Sequence, residues 1–379
     1  MRRYVIAVIC SIFIAVGVVY AIQFTSPFSK ASDALKMIRE NNLSKFDARY
    51  WKKLEGDIVQ CQLCPNMCVL PNLARGKCGV RININGKLYS LVYGKPIAVH
   101  VDPIEKKPLS HFLPGTPVLS IATAGCNLGC IFCQNWQISQ TLPEDTEHGN
   151  FFPDDLVALA KRYKTPSIAY TYTEPTIFYE YMLDTAKLAK KHKIKNVMHS
   201  CGYINPKPLK ELLRYMDAAN VDLKGFSEGY YQKMCYGRLQ PVLETLKTIK
   251  KEGVWLEITN LIIPGKNDDP KMIRKMCKWI KKELGPNVPI YFSAFHPNYR
   301  LKGVPPTSIK TLEMAYKIAK GERLNYVYIG NVYGHIHEDT VCPNCKRVVI
   351  KRKGFSVIEN NLVNGRCKYC GERIPGVWN

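Results

Sequence analysis

The chain has 379 residues, 46% apolar and 22% charged, so the body is globular and has room for one large core with smaller attachments. Lys plus Arg is 54 and Asp plus Glu is 31, giving a net charge of +23. That excess suits anionic lipid, acidic partners or polyanions but does not specify fold. With no basic block beside an aromatic platform, a nucleic-acid partner is not expected. The 15 cysteines fall largely into close-set groups in a long chain, which argues against the disulfide framework of a short secreted domain and for bound metal.

Residues 1–24, "MRRYVIAVICSIFIAVGVVYAIQF", carry no charge from Tyr4 to Phe24. At about 1.5 Å per residue such a helix reaches about 30 Å, enough to cross a bilayer. The stretch predicts a single-pass anchor and a membrane location. Val19-Tyr20-Ala21 would alternatively serve as a signal cleavage site, and Arg2-Arg3 weakly resembles a twin-arginine export signal. Arg2 and Arg3 before the stretch are balanced by Lys30, Lys36 and Arg39 after it, which leaves the side of the membrane open.

Residues 25–55 read as a polar, partly helical linker. Residues 56–115 form a cysteine-bearing segment with short strands such as "KLYSLVYG". Cys61, Cys64, Cys68 and Cys78 are spaced C-x2-C-x3-C-x9-C. Four thiolates complete a coordination sphere, either for structural zinc or for an auxiliary iron–sulfur cluster.

Across residues 116–335, β-branched apolar runs alternate with amphipathic, Lys-rich stretches. The runs are "PVLSIATA", "SIAYTY", "KNVMHS", "AANVDLKG", "WLEITNLII", "IYFSAF" and "YVYIGN". Between them lie helix-like segments such as "DDLVALAKRY" and "PTIFYEYMLDTAKLAKKH". This alternation implies an α/β fold with a parallel sheet, a partial or full (β/α) barrel. In a barrel the site lies at the C-terminal strand ends, so the residues after each run are the ones to inspect.

Residues 336–379 carry "CPNC" and "CKYCG", two knuckles separated by 21 residues. Cys342, Cys345, Cys367 and Cys370 therefore read as a zinc-ribbon-like or rubredoxin-like module holding zinc or a single iron. It would serve as a structural clip or as a docking module for a protein substrate. Of the isolated Cys10, Cys201, Cys235 and Cys277, Cys235 and Cys277 read as buried fillers.

The most informative stretch is "AGCNLGCIFCQNW", where Cys126, Cys130 and Cys133 are spaced C-x3-C-x2-C directly after the first run. Three thiolates hold three irons of a [4Fe-4S] cluster and leave the fourth iron open. A structural zinc loop borrowing a distant ligand is the alternative. Further polar residues follow the other runs: Glu174 in "TYTEP", Ser200 in "HSCGY", Asp222 and Lys224 in "NVDLKG", and His296 in "AFHPNYR". Asp222 and Lys224 alternate by two and share a face.

This constellation resembles the radical S-adenosylmethionine (SAM) superfamily. The resemblance implies that the amino and carboxylate groups of SAM fill the open iron position. Electron transfer from the reduced cluster then cleaves the sulfonium, and a 5′-deoxyadenosyl radical takes hydrogen from a substrate. It places Phe132 near the adenine, Glu174 on the SAM amino group, Ser200 in hydrogen bonding to the cofactor and Lys224 on the carboxylate. Asp222 falls on the ribose or the substrate, and His296 on the ribose. The cofactor carries the chemistry, and the protein positions it.

The blocks "CQLCPNMCVLPNLARGKCGVR", "VDPIEKKPLSHFLPGT", "GCNLGCIFCQNWQIS", "TYTEPTIFYEY", "VDLKGF" and "FHPNYRLKGVPPT" run in one order over residues 58–379. They resemble the AmmeMemoRadiSam system radical SAM enzymes, relatives of pyruvate formate-lyase activating enzyme. Two positions depart from that pattern: Thr173 and Cys201 stand where Asn is usual. The kinship implies an electron donor as partner and a protein substrate, with hydrogen abstraction from a glycine, as in an activase for a glycyl-radical enzyme. The competing reading of another class is a membrane-tethered iron–sulfur electron-transfer or interaction protein.

Overall fold

The computed structural model describes residues 28–379. Its centre is one eight-stranded sheet. The strands are β1 (Ala98–Pro103), β2 (Pro117–Ala122), β3 (Ser167–Tyr170), β4 (Lys195–Ser200), β5 (Ala218–Asp222), β6 (Trp255–Ile262), β7 (Ile290–Ala294) and β8 (Val327–Gly330). Strands β2 to β8 are mutually parallel in chain order, and β1 pairs antiparallel with β2 along the outer edge. Each of the seven apolar runs is one of the parallel strands. Their continuous hydrophobicity reflects burial on both faces, as a sheet covered by helices requires.

Six helices make the crossovers: α1 (Pro153–Arg162), α2 (Tyr179–Lys191), α3 (Pro206–Leu213), α4 (Leu239–Lys251), α5 (Pro270–Glu283) and α6 (Ile309–Gly321). Helix α5 shows the local logic. The Asp269 carboxylate accepts the N–H groups of Lys271 and Met272 at its start. Ile273, Met276, Cys277 and Ile280 recur at helical spacing and are buried, while the lysines face outward.

One expectation, a partial or full barrel, is narrowed, and one is corrected. The sheet runs β8-β7-β6-β5-β4-β3-β2-β1 and, among the described residues, no pairing joins β8 to β1, so the barrel is open rather than full. Among the described residues no helix is long and apolar enough to cross a membrane. The longest, α5, has 14 residues and spans about 21 Å, short of a bilayer core. The stretch 1–24 that suggested an anchor lies outside the described residues. No described helix therefore supplies the expected membrane anchor.

The N-terminal segment is packed onto the sheet domain. Helix Ala31–Glu40 buries Ala34 and Ile38 against Leu43, Ile82 and Leu91. Short strands in 46–90 form two three-stranded sheets, and the Arg81 guanidinium grips Glu180 of α2 at 2.8 Å in full burial. At the other end, Cys342, Val349 and Ile374 pack on Tyr291, Tyr326 and Tyr328 of the sheet. His111 sits fully buried at that junction, 2.7 Å from the Pro375 carbonyl through Nδ1 and 2.7 Å from the Tyr328 hydroxyl through Nε2. A carbonyl only accepts, so Nδ1 carries the hydrogen and Nε2 accepts from Tyr328. Burial pushes the His111 pKa down to about 3, which keeps the ring neutral.

Candidate active site

A cavity of about 770 Å³ opens at the C-terminal ends of the parallel strands. Cys126, Cys130, Phe132, Cys133, Ser200, Asp222 and Lys224 all line it. Three strand ends, those of β2, β4 and β5, are brought together across about a hundred residues of sequence.

The cysteine loop leaves β2 through Gly125, whose φ is +95°. A Cβ there would stand 2.5 Å from the Cys78 carbonyl oxygen, so the close approach requires glycine. The loop is then fastened from several sides. Gly129 and Ile131 donate their N–H groups to the carbonyls of Cys235 and Met234, both at 3.0 Å. The buried Asn127 amide donates to the Tyr203 carbonyl at 2.8 Å, and Gln140 to Leu128 at 3.1 Å. Cys130 is therefore clamped between two backbone hydrogen bonds. The Ser139 hydroxyl lies 3.2 Å from the Cys133 sulfur, and the Leu128 N–H donates to the Cys126 sulfur at 3.4 Å. The neighbouring Cys235 thiol, with burial, raises the Cys130 pKa, and burial pushes Cys133 up to about 11. Ionised thiols here need a cation to hold them.

Across the cavity, Asp222 is held between two partners, His199 Nε2 at 3.1 Å and Lys224 Nζ at 2.9 Å. Burial opposes its ionisation, but Lys224 and His199 overcome it and hold the carboxyl well below the usual range. Burial likewise opposes charge on Lys224, and Asp222 with the thiols Cys201, Cys130 and Cys235 raises its pKa well above normal. The ammonium lies 5.9 Å from the Phe132 ring centroid. Lys224 thus presents a fixed positive charge beside the cysteines.

Glu174 lies behind the wall rather than on it, with no exposure. Its Oε1 accepts from the Thr176 N–H at 3.1 Å, the Thr176 hydroxyl at 2.6 Å and the Ser200 hydroxyl at 2.7 Å. Its Oε2 accepts the Cys201 N–H at 2.7 Å. The residue ties the end of β3 to the end of β4. Thr173 turns its hydroxyl to the Thr123 carbonyl at 2.9 Å, and Cys201 lines the cavity beside Cys126. His296, two residues past β7, is exposed and is not among the cavity-lining residues.

Several lining residues were not among the sequence candidates. His199 is the last residue but one of β4, within "KNVMHS". Lys106 and Lys107 face the cavity from "VDPIEKKPLSHF" and bind Asp102 at 2.8 and 2.7 Å, and the Tyr172 hydroxyl donates to the same carboxylate. Burial pushes Lys107 down to about 8 against the pull of Asp102. Arg352 reaches in from the C-terminal module, donating to the Ser110 carbonyl and Thr340 hydroxyl at 2.8 Å each. Phe355 and Tyr333 line the mouth and stand more than half exposed.

The C-terminal cysteines form a second candidate centre. The sulfurs of Cys342, Cys345, Cys367 and Cys370 lie within 4.8 Å of one another and could hold one metal ion.

Residues 120–280 match the family described as the Radical SAM superfamily. The chain belongs to the radical SAM superfamily. It is 47% identical over 330 residues to uncharacterized protein MJ0808 of Methanocaldococcus jannaschii, covering 86% of this chain and 98% of that protein. It is 22% identical over 174 residues to the pyruvate formate-lyase-activating enzyme of Listeria monocytogenes, covering 41% of this chain and 66% of that enzyme. Among solved structures, a domain of a pyruvate-formate lyase-activating enzyme from Bacteroides vulgatus is similar at 18% identity. The TM-score is 0.39, with 43% of this chain and 97% of that one covered. A radical SAM methyltransferase from Sphaerobacter thermophilus is similar at 13% identity and a TM-score of 0.47, with 61% of this chain and 71% of that one covered. As a radical SAM enzyme the chain requires a [4Fe-4S] cluster and SAM. The donor set fits: three soft thiolates on one clamped loop line a large cavity, with an ammonium and a carboxylate opposite.

Proposed function

We propose that this radical SAM enzyme abstracts hydrogen from a substrate held in the strand-end cavity. The observation that carries this is the convergence of Cys126, Cys130 and Cys133 with the Asp222–Lys224 pair on one cavity of about 770 Å³. Cys126, Cys130 and Cys133 would hold the cluster, and together with SAM it supplies a 5′-deoxyadenosyl radical by one-electron cleavage of the sulfonium.

The chain's own residues bind and orient. Lys224, kept charged by Asp222, meets the SAM carboxylate, and Phe132, its ring centroid 5.9 Å from that ammonium, takes the adenine. Asp222, locked as a carboxylate by His199 and Lys224, accepts from a ribose or substrate hydroxyl. Ser200 donates to Glu174 and accepts the Gly202 N–H at 2.9 Å, which leaves one acceptor lone pair for the cofactor. Contact of Glu174 itself with the amino group would need one of its four present hydrogen bonds to be exchanged. A role for His296 on the ribose would need the loop after β7 to fold over the cavity. Replacing Lys224 by Met removes the cation and strands Asp222. SAM affinity in the cluster-loaded protein, measured by equilibrium dialysis, is expected to fall at least tenfold. Unchanged affinity would remove Lys224 from the site.

A protein substrate is the narrower reading, favoured by similarity to pyruvate formate-lyase-activating enzymes and by the exposed Tyr333 and Phe355 at the mouth. On that reading the enzyme draws an electron from an external reductant and sets a radical on a glycine of a partner enzyme. A glycyl radical signal appearing in a partner would support it. SAM-dependent turnover of a small molecule with no partner present would contradict it. The C-terminal quartet, on this proposal, holds zinc or a single iron and keeps Arg352 and Phe355 at the cavity.

A further inference from the structure

Two cysteine quartets flank the sheet domain, and their sulfurs are spaced differently. In the C-terminal quartet, Cys342 and Cys370 stand 3.6 Å apart and Cys345 and Cys367 3.7 Å apart. A zinc–sulfur bond of about 2.3 Å places tetrahedral sulfurs about 3.8 Å apart, so this is the spacing of a single ion. Cys61, Cys64, Cys68 and Cys78 also converge, for all four line one small cavity of about 20 Å³ closed by Leu63 and Ile177. Among the described residues, however, only the C-terminal quartet has its ligand atoms gathered as one ion requires. Cys126, Cys130 and Cys133, where each sulfur would serve a different iron of the radical cluster, do not form such a single-ion group either. The N-terminal quartet therefore gathers on one cavity without the single-ion arrangement found at the other end of the same chain, as the radical-cluster loop does.

The surroundings suit a compact anionic group. Gly76 lies against two of the sulfurs: a Cβ there would stand 3.6 Å from that of Cys78 and 3.9 Å from that of Cys68. The Lys77 ammonium supplies positive charge close by, and the Arg81 guanidinium, paired with Glu180, lines the same cavity. The cavity also abuts the radical-cluster loop. Asn127 lines it, the Asn66 amide donates to the Asn127 carbonyl at 2.8 Å, and the Cys78 carbonyl rests against Gly125, next to Cys126.

We propose that Cys61, Cys64, Cys68 and Cys78 hold a polynuclear iron–sulfur cluster beside the radical cluster. Such a centre accepts one electron from an outside one-electron reductant and can return it to its neighbour, with no bond made or broken.

The test uses the full chain carrying Cys126→Ala, Cys130→Ala and Cys133→Ala, so that failure of the radical-cluster reading does not enter. The protein is reconstituted anaerobically with iron and sulfide, and iron, sulfide and zinc are counted. About two to four irons per chain with matching sulfide are expected, lost when Cys64→Ala is added. No iron above background, with about two zinc ions per chain, would overturn the proposal. Should the triple variant not fold, the wild type is compared with Cys64→Ala alone. A fall of about two to four irons is expected, whereas equal iron with one zinc fewer would overturn it. Electron paramagnetic resonance of the reduced wild type reads the adjacency. A spectrum broadened by interaction between two clusters is expected, and a simple sum of the two single-set spectra would refute the placement.

Discussion

Replacing Arg81 by Met tests how the N-terminal cysteine segment is held against the sheet domain. The guanidinium makes two bonds to Glu180, at 2.8 and 3.2 Å, and a third to the Arg49 carbonyl at 2.7 Å. Both side chains are at most 2% exposed. Removing the cation leaves the Glu180 carboxylate buried with only the Arg49 N–H as a polar partner, at 2.6 Å. Breaking a buried pair from one side costs about 3–5 kcal/mol, because the surviving charge is stranded in low dielectric. Chemical denaturation of wild type, Arg81→Met, Glu180→Leu and the double variant closes the cycle. Each single variant is expected to lose about 3–5 kcal/mol. The double variant should recover much of that loss, since two apolar groups can replace a buried pair at little net cost. Single losses below about 1 kcal/mol that simply add would refute the reasoning, and the segment would then be held by apolar packing alone.

The pH dependence follows from His111. Its folded pKa is depressed to about 3, so between about 6.5 and 3 the unfolded chain binds a proton that the folded chain refuses. Stability should therefore fall as pH falls through that window, by about 1.4 kcal/mol per unit, and His111→Gln should flatten that slope in pH-stepped denaturation. Gly125→Ala should lower both stability and iron loading, because its Cβ meets the Cys78 carbonyl. Gly253→Ala, also at positive φ but with open space around it, should cost only about 1–2 kcal/mol and leave iron loading intact. Cys342→Ala should release about one metal ion per chain and open residues 336–379 to limited proteolysis, checked by metal analysis and mass spectrometry.

Much of the sheet domain is legible because parallel strands buried on both faces must be apolar throughout, and "SIAYTY" or "WLEITNLII" has no other home. The strand ends followed from that register, and Asp222 and Lys224, two residues apart, do meet in one ion pair. Strand β1 escaped notice because it lies on the edge, where "AVHVDP" is partly exposed and mixes polar with apolar residues. Lys106, Lys107 and Arg352 escaped for another reason. They enter the cavity from outside the β/α repeat, from the segment after the edge strand and from the C-terminal module, and no local period marks such a contact. Glu174 shows the limit for single residues. Its place at a strand end was evident, but whether its carboxylate faces the cavity or ties Ser200 and Cys201 depends on side-chain direction. The open edge of the sheet is likewise a matter of strand pairing across the whole domain, which a run of apolar residues does not encode.

The central claim is radical chemistry at the three-cysteine loop, and one assay addresses it directly. The full chain is reconstituted anaerobically with iron and sulfide, reduced and given SAM, and 5′-deoxyadenosine is quantified beside the same preparation of Cys130→Ala. Product from the wild type and none from the variant is the expected result. Equal product from both, or none from a wild type shown to carry its cluster and to bind SAM, would contradict the account.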